Sequence, residues 1–302
     1  TALVAPSRLE TDGAKRAQIL DAAEKQIEQF LAGDPVGEQA IAAFTQKGNL
    51  LVERGRGKID QAKRTGEDAK TRLAEAVGFF DAAIKSLEGQ VKKDQPIEKV
   101  TNAEDAVLKE LRAVDTELAE LQGKPAAGEE SGKGAKKAPR KPSDGRRIEE
   151  LEDRQDRLRG QLLQTRLLVG GAYYEKSRAL PVGSKEWKAA LEKSALDYKE
   201  LYDKYRSRGA GLFARYYEGR NYVALAQAEA DAKEKTKRME QALLTLSDVR
   251  GLDGEAGFVP GLRAKAVAST LECWLDMKAY AAKEFKDFAE RLQKIVLAPV
   301  PA

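Results

Sequence analysis

The sequence contains no histidine and a single cysteine, and both absences exclude kinds of chemistry. Without histidine there is no imidazole to act as a general base or to activate a serine or cysteine nucleophile. One thiol, Cys273, excludes an intrachain disulfide and a cysteine-rich metal cluster. We therefore predict that the protein is not an enzyme and requires no cofactor or metal ion.

Aromatic residues and prolines are also scarce, at 6% of the chain and 10 of 302 residues. No alternation of β-branched residues between turn signals predicts a strand. No run of about 20 apolar residues is present, so we predict no transmembrane segment. The residues that remain are 42% hydrophobic and 34% charged. This composition is typical of long helices with polar outer faces, and it predicts an all-α fold.

The charges nearly balance, with 53 basic and 49 acidic side chains, but one segment is basic. Residues 123–147 hold eight basic and three acidic side chains. Within it, residues 123–143 lack any large apolar side chain, which predicts a disordered or loosely tethered loop. Such a loop is a solubilising linker in one interpretation. In the other it binds nucleic acid or an anionic membrane or wall surface, although it has no aromatic side chain to stack on bases.

Helical periodicity accounts for most of the chain. Two long helices should follow a turn at Gly55–Gly57, the first at about residues 58–91 and the second after a capping box of Thr101 and Glu104. Apolar residues of the second helix and of residues 148–169 recur at heptad spacing, which predicts an antiparallel hairpin around the basic loop. Further helices are predicted at about 11–31, 37–54, 184–205, 212–230, 235–246, 262–277 and 279–297. Ser184 is predicted to cap the third of these, and a glycine-rich loop at residues 251–260 to precede the helix at 262–277.

Three segments place a glycine three residues before a large side chain: Gly48 before Leu51, Gly170 before Tyr173 and Gly219 before Tyr222. A glycine on a helix face lets a neighbouring helix approach closely, and the large residue fills the adjoining groove. In this respect the chain resembles the tetratricopeptide-repeat family, and residues 199–205 with the Gly219 helix resemble repeats of bacterial envelope-assembly lipoproteins. The glycines are 122 and 49 positions apart, not about 34 as in regular repeats. A plain helical bundle is the alternative.

The resemblance implies an α-solenoid of antiparallel helix pairs, interrupted by the long coiled-coil hairpin. We accordingly expect a repeat-like helix pair at residues 1–57, the long-helix region at 58–169 and further repeats at 170–302. It also implies a scaffold that binds a partner protein in a groove. The first residue is Thr1, which fits either a secreted protein after signal removal or a trimmed chain. A periplasmic or secreted, cell-envelope location is expected, with the cytoplasm as the alternative.

Tyrosine and arginine are the residues that we expect to contact this partner, because both are common in protein interfaces. The predicted partner-binding residues are Tyr173, Tyr174, Arg215, Tyr216, Tyr217, Arg220 and Tyr222. The alternative is that the tyrosines pack between helices. The heptad seams also permit self-association, while nucleic acid is the less favoured partner.

Overall fold

The computed structural model describes residues 13–65, 68–89, 97, 99–122, 142–254 and 257–278, together with 283, 286, 287 and 290. Within these residues the regular secondary structure is helical and no strand occurs, which confirms the all-α class. The helices of the described residues are α1 (Gly13–Ala32), α2 (Gly37–Thr65), α3 (Ala69–Leu87), α4 (Ala103–Leu121), α5 (Pro142–Ala179), α6 (Lys185–Tyr205), α7 (Gly209–Gln227), α8 (Ala232–Arg250) and α9 (Val259–Asp276).

The chain divides into two compact units, which we call unit 1 (Thr1–Ala179) and unit 2 (Leu180–Ala302). Helices α1–α5 belong to unit 1 and α6–α9 to unit 2. Each unit buries apolar clusters of its own. The predicted domain boundaries at 57/58 and 169/170 fall inside α2 and α5.

Helices α4 and α5 of unit 1 pack against each other as their apolar spacing predicts. Their stripes join in one buried cluster that contains Val107, Leu111, Val114 and Leu118 of α4 and Leu151, Leu158 and Leu162 of α5. Along this interface, earlier residues of α4 meet later residues of α5, so the helices are antiparallel. The ion pairs that show this order are Glu104–Arg166, Glu110–Arg154 and Glu117–Arg147.

Helix α2 continues to Thr65, so the turn predicted at Gly55–Gly57 is wrong. Residues 58–65 of the predicted long helix belong to α2, and the remainder begins again as α3. The physical reason is close packing, because a Cβ atom at Gly55 would lie 2.6 Å from ring carbons of Phe80. A glycine within a helix costs about 1 kcal/mol, whereas burying a phenylalanine contributes about 1.5–3 kcal/mol. Phe80 is fully buried, so the packing outweighs the cost.

Helix α4 is capped by Asn102, not by Thr101. The side-chain oxygen of Asn102 accepts a hydrogen bond from the backbone N–H of Asp105 at 2.8 Å. The carboxylate of Glu104, predicted to complete a capping box, instead accepts a hydrogen bond from the backbone N–H of Gly89 at 2.9 Å. The predicted capping box is therefore wrong, and this glutamate joins the end of α3 to the start of α4.

Helix α7 is the central helix of unit 2, because it packs against α6, α8 and α9. Ser184 caps α6 as predicted, and its hydroxyl accepts a hydrogen bond from the backbone N–H of Trp187 at 3.1 Å. The glycine-rich connection predicted between α8 and α9 is also present. There Gly254 and Gly257 adopt φ angles of 111° and 63°, a region that glycine reaches without strain.

Two predicted elements fall largely outside the described residues. Residues 123–141 of the predicted loop lie there, whereas residues 142 and 143 belong to α5. Most of the predicted helix at 279–297 lies there as well.

Candidate functional site

An aromatic and cationic surface forms where α6 packs on α7 in unit 2. Tyr198 and Tyr202 lie four residues apart on α6 and therefore share one face of that helix. Tyr217 of α7 stacks on Tyr198 with ring centroids 5.4 Å apart and ring planes inclined by 27°. The guanidinium carbons of Arg215 and Arg206 lie 4.7 and 5.4 Å from the ring centroid of Tyr202. We call these five side chains the tyrosine patch.

Exposure within the tyrosine patch is concentrated in two residues. Tyr217 is 39% exposed, and the side chain of Arg206 is 68% exposed. Tyr198, on which Tyr217 stacks, is buried. A tyrosine ring supplies a large amphipathic contact area and loses little conformational entropy when a partner binds. The patch thus has the composition of an anchor point for another protein.

Tyr216 and Tyr217 are neighbours in sequence but differ in environment. The ring centroids are 5.2 Å apart, yet Tyr216 is only 7% exposed and belongs to the core of unit 2. In that core it joins Val223, Met239 and Leu246, among others. Successive helical residues differ by about 100° in direction, which accounts for the difference. Of this predicted pair, only Tyr217 is available at the surface.

The guanidinium of Arg215 is held by carboxylates of unit 2. It lies 2.8 Å from Glu218 and 2.7 Å from Asp248. Burial tends to lower the pKa of Arg215, but these two carboxylates raise it above its ordinary value. Burial raises the pKa of the Glu218 carboxyl above its ordinary value, and the arginine offsets only part of that effect. Arg215 therefore orders the ring of Tyr202 while its own charge is compensated within the unit.

Arg220 and Tyr222 also have partners inside unit 2. Arg220 donates a hydrogen bond to the hydroxyl of Ser269 at 3.4 Å and lies 3.8 Å from the carboxylate of Glu272, so it links α7 to α9. Tyr222 is hydrogen-bonded to Glu218. Burial and the charge of Glu218 raise the pKa of Tyr222 to about 12. A role of either residue in binding a partner stays a prediction.

Tyr173 and Tyr174 lie on α5 in unit 1. The hydroxyl of Tyr173 donates a hydrogen bond to the Glu88 carboxylate at 2.8 Å, and its ring packs on a buried cluster. Tyr174 is half-buried, and its backbone carbonyl accepts a hydrogen bond from the hydroxyl of Ser177. Gly170, the second repeat position, is buried on the same helix. Unit 1 thus holds two of the seven predicted partner-binding residues.

The repeat positions Gly48 and Gly219 allow close helix contacts. A Cβ atom at Gly48 would lie 2.5 Å from Cγ of Leu87, where α2 meets α3. A Cβ atom at Gly219 would lie 2.7 Å from Cγ of Leu246, where α7 meets α8. In both cases the neighbouring leucine is fully buried. Each glycine therefore lets two helices pack closely, and its assignment as a repeat position stays a prediction.

The basic segment 123–147 is described only at its end. The two basic side chains described there are Arg146 and Arg147. Arg147 pairs with Glu117 of α4 and with Glu150, and Arg146 lies 3.8 Å from Glu150. The remaining basic residues of the segment lie outside the described part of the chain, so binding to nucleic acid or an anionic surface stays a prediction.

Cys273 is fully buried, and burial raises the pKa of its thiol to about 12. In the described part of the chain, no group of three or more His, Cys, Asp or Glu side chains lies where it could hold a metal ion. No helix of that part is both long and apolar enough to cross a membrane.

Sequence reasoning left Tyr198, Tyr202 and Arg206 out of the predicted site. The spacing of the two tyrosines, four residues apart on a predicted helix, was a usable signal. The sequence also indicated in part that the charge of Arg215 is compensated, because Glu218 follows it by three residues and side chains at this spacing meet on a helix. Stacking of Tyr217 on Tyr198 depends on how α6 and α7 pack, which no local pattern encodes.

Comparison with models of known protein families, with curated proteins and with solved structures finds no match to this chain. The resemblance to tetratricopeptide repeats therefore rests on the sequence pattern alone.

Proposed function

We propose that this protein is a non-enzymatic scaffold that holds a segment of a partner protein against the tyrosine patch of unit 2. Its helices would form a degenerate, tetratricopeptide-like array of antiparallel pairs. Two features support the array. Consecutive helices α6 to α9 pack in chain order, as repeat units do. The glycine at each of two repeat positions also admits a leucine of the following helix.

The observation that carries the binding site is the exposed ring of Tyr217 on a rigid base. The ring is held by the buried Tyr198, so it does not have to be ordered when a partner binds. Preorganisation of this kind improves affinity because less entropy is lost on association. The nearby Arg206 pairs with the exposed Asp203 at 3.4 Å, a weak solvent-screened contact that a partner carboxylate can replace. We expect the partner segment to offer an apolar side chain next to an acidic one.

The test compares two surface variants of the full chain as baits in a native extract. Tyr217→Ala removes the exposed ring, and Leu244→Ala is the matched control, because Leu244 is an exposed apolar residue of α8 outside the tyrosine patch. Circular dichroism should show that both variants are folded. A photo-crosslinking amino acid at position 217 would then identify the contacting segment of the partner.

We expect one protein to be retained by the wild type and by Leu244→Ala, and to be lost with Tyr217→Ala. Retention of that protein by Tyr217→Ala would place its binding elsewhere and overturn the proposal. Tyr216→Ala is unsuitable for this test, because truncating a core aromatic residue costs about 3–5 kcal/mol of stability.

A location in the bacterial cell envelope belongs to this proposal, on the strength of the resemblance to envelope-assembly repeats. Fractionation of the source cells, followed with an antibody to the protein, tests it. Recovery with cytoplasmic markers would contradict the envelope location and leave the binding proposal intact.

A further inference from the structure

Unit 1 contains a cavity of about 330 Å³ between α1, α2 and α3. Its apolar wall includes Leu20 and Phe79, and its polar wall includes Arg16 and Arg54. The guanidinium carbon of Arg54 lies 5.6 Å from the ring centroid of Phe79, so cation and ring lie side by side. Gly57 also lines the cavity, and a Cβ atom there would have no neighbour within 4 Å. The volume and mixed lining are those of a small-molecule site.

Arg16 ends a chain of ion pairs in unit 1. Its members alternate in sign in the order Arg16, Glu53, Arg56, Glu175 and Arg178, with successive N–O distances between 2.6 and 3.2 Å. Both glutamates are buried. In this chain three arginines alternate with two carboxylates, and an arginine stands at each end. At the cavity end, an anion beside Arg16 would complete the alternation.

Two of the three arginines that line the cavity, Arg16 and Arg54, also have unused hydrogen-bonding capacity. The Nε atoms of Arg16 and Arg54 are removed from solvent, and neither has a hydrogen-bond partner. Another nitrogen of the Arg54 guanidinium binds Asp21 and Glu24, whose side chains are 66% and 23% exposed, so the Nε donor is the part of this group that remains unsatisfied. A donor left unsatisfied in a low-dielectric site favours an added acceptor.

The acidic residues of the cavity restrict the charge of the ligand. Glu53, Asp21 and Asp60 also line the cavity, and Glu53 lies 3.2 Å from Arg16. The cavity lining holds four basic side chains (Arg16, Arg54, Lys58 and Arg64) and three acidic ones, so its net charge of +1 matches a single negative charge on a ligand. Of the two other cations in the wall, Lys58 lies 2.5 Å from Glu75 and Arg64 is exposed.

From this geometry we propose that the cavity binds a small organic monoanion, namely a carboxylate attached to an apolar body. The carboxylate would meet the guanidinium groups of Arg16 and Arg54, and the apolar body would lie on Leu20 and Phe79. This site is independent of the tyrosine patch and of the proposed scaffold function.

Phenylacetate is the probe, and phenylacetamide is its uncharged isostere. Calorimetric titration of the full chain should give saturable binding with a Kd of about 1 mM, a usual value for a fragment of this size. Phenylacetamide should bind at least about tenfold more weakly, because a charged hydrogen bond is lost. Inorganic phosphate, which has no apolar body, should not bind at the same concentrations.

Two variants test the location of the site. Arg16→Gln removes the excess charge and should weaken phenylacetate binding at least about tenfold. Gly57→Leu fills the cavity, leaves every charge in place and should abolish binding. The matched control is Gly160→Leu, because Gly160 is an exposed helical glycine of the same unit whose Cβ position is equally open.

The outcomes are distinct. Binding lost in Gly57→Leu and kept in Gly160→Leu supports the cavity site, even if Arg16→Gln fails to fold. Binding that survives Gly57→Leu overturns the proposal, because the anion is then held on the open surface. Equal binding of phenylacetamide, equal binding of phosphate, or no saturable binding of phenylacetate would each overturn it as well.

Discussion

Replacing Gly48 by alanine places a methyl carbon 2.5–2.8 Å from three carbon atoms of Leu87. Carbon atoms in contact normally lie about 3.5–4.0 Å apart. Leu87 is fully buried, so its side chain cannot turn out into solvent. Gly48→Ala therefore requires that Leu87 repack inside the core or that α2 and α3 move apart, although alanine is the better helix former.

The magnitude follows from these opposing terms. Overpacking a core costs about 1–3 kcal/mol, and the severe overlap here favours the upper end. The gain in helix propensity from glycine to alanine is about 1 kcal/mol. We expect a net loss of about 2 kcal/mol in the free energy of unfolding. Leu87→Ala alone should cost about 2–5 kcal/mol. In the double variant the new methyl group occupies part of the space that the leucine leaves, so the losses should fall short of additivity by about 2 kcal/mol.

Urea unfolding followed by far-ultraviolet circular dichroism measures these quantities. Tryptophan fluorescence is not suitable, because Trp187 and Trp274 both lie in unit 2 and the perturbation lies in unit 1. Gly78→Ala is the matched control, since a Cβ atom there meets nothing within 4 Å, and it should stabilise by about 0.5–1 kcal/mol. If Gly48→Ala is as stable as Gly78→Ala, or if the double variant is strictly additive, the close contact with Leu87 is wrong.

Three further predictions concern single groups. Asn102→Ala should lower the free energy of unfolding by about 1 kcal/mol, because the asparagine caps α4. Thr101→Ala should lower it by less than about half of that, and equal losses would contradict Asn102 as the cap. Burial raises the pKa of the Glu218 carboxyl, so between the unfolded pKa of 4.5 and the folded pKa the folded state holds a proton on Glu218 that the unfolded state has released. The free energy of unfolding of the wild type therefore falls as the pH rises through this window. The stability of Glu218→Gln relative to the wild type should therefore increase over that window in urea titrations, and a constant difference would refute this. With the pKa of Cys273 raised to about 12 by burial, a disulfide reagent at pH 8 should label the thiol only in denaturant, and rapid labelling of the native protein would show that the site is open.

Local signals explain the parts of the fold that the sequence predicts. The N-cap at Ser184 depends on one hydroxyl and the backbone that follows it, so it is visible in a short window. The packing of α4 on α5 depends on apolar residues at heptad spacing, which any helix with that spacing must bury. Both features follow from neighbours in sequence, and neither requires knowledge of the rest of the chain.

The errors occur where a distant residue decides between two local possibilities. Gly55 and Gly57 are compatible with a turn or with a helix, and Phe80 of another helix decides for the helix. Thr101 and Asn102 are both good N-caps, and the hydrogen bond from Gly89 to Glu104 removes the glutamate from the predicted box. In each case the residue that decides the local structure is distant in sequence, so local propensities cannot predict its effect.

The candidate site was only partly predictable for the same reason. Predicting that a tyrosine or an arginine binds a partner assumes that its side chain faces solvent. This assumption fails for part of α7, because that helix is buried on several sides. Tyr216 is consequently a core residue, and Arg215 is compensated by Asp248 of α8. The spacing of Tyr198 and Tyr202 could have pointed to the same face of α6, although not to the stacking of Tyr217 on it.

The contrast between core and surface members of the same residue type supports the proposed function. The core of unit 2 uses Tyr216 for packing, and Arg215 neutralises the buried Glu218, so removing either side chain would destabilise the unit itself. Tyr217 and Arg206 lie at the surface next to these residues, and a large part of each side chain is exposed. At this surface the core fixes one set of side chains and leaves an adjacent set exposed. Such a surface is preorganised for association. A partner that binds there would contact the second set and leave the first unchanged, so binding and stability should respond to different substitutions.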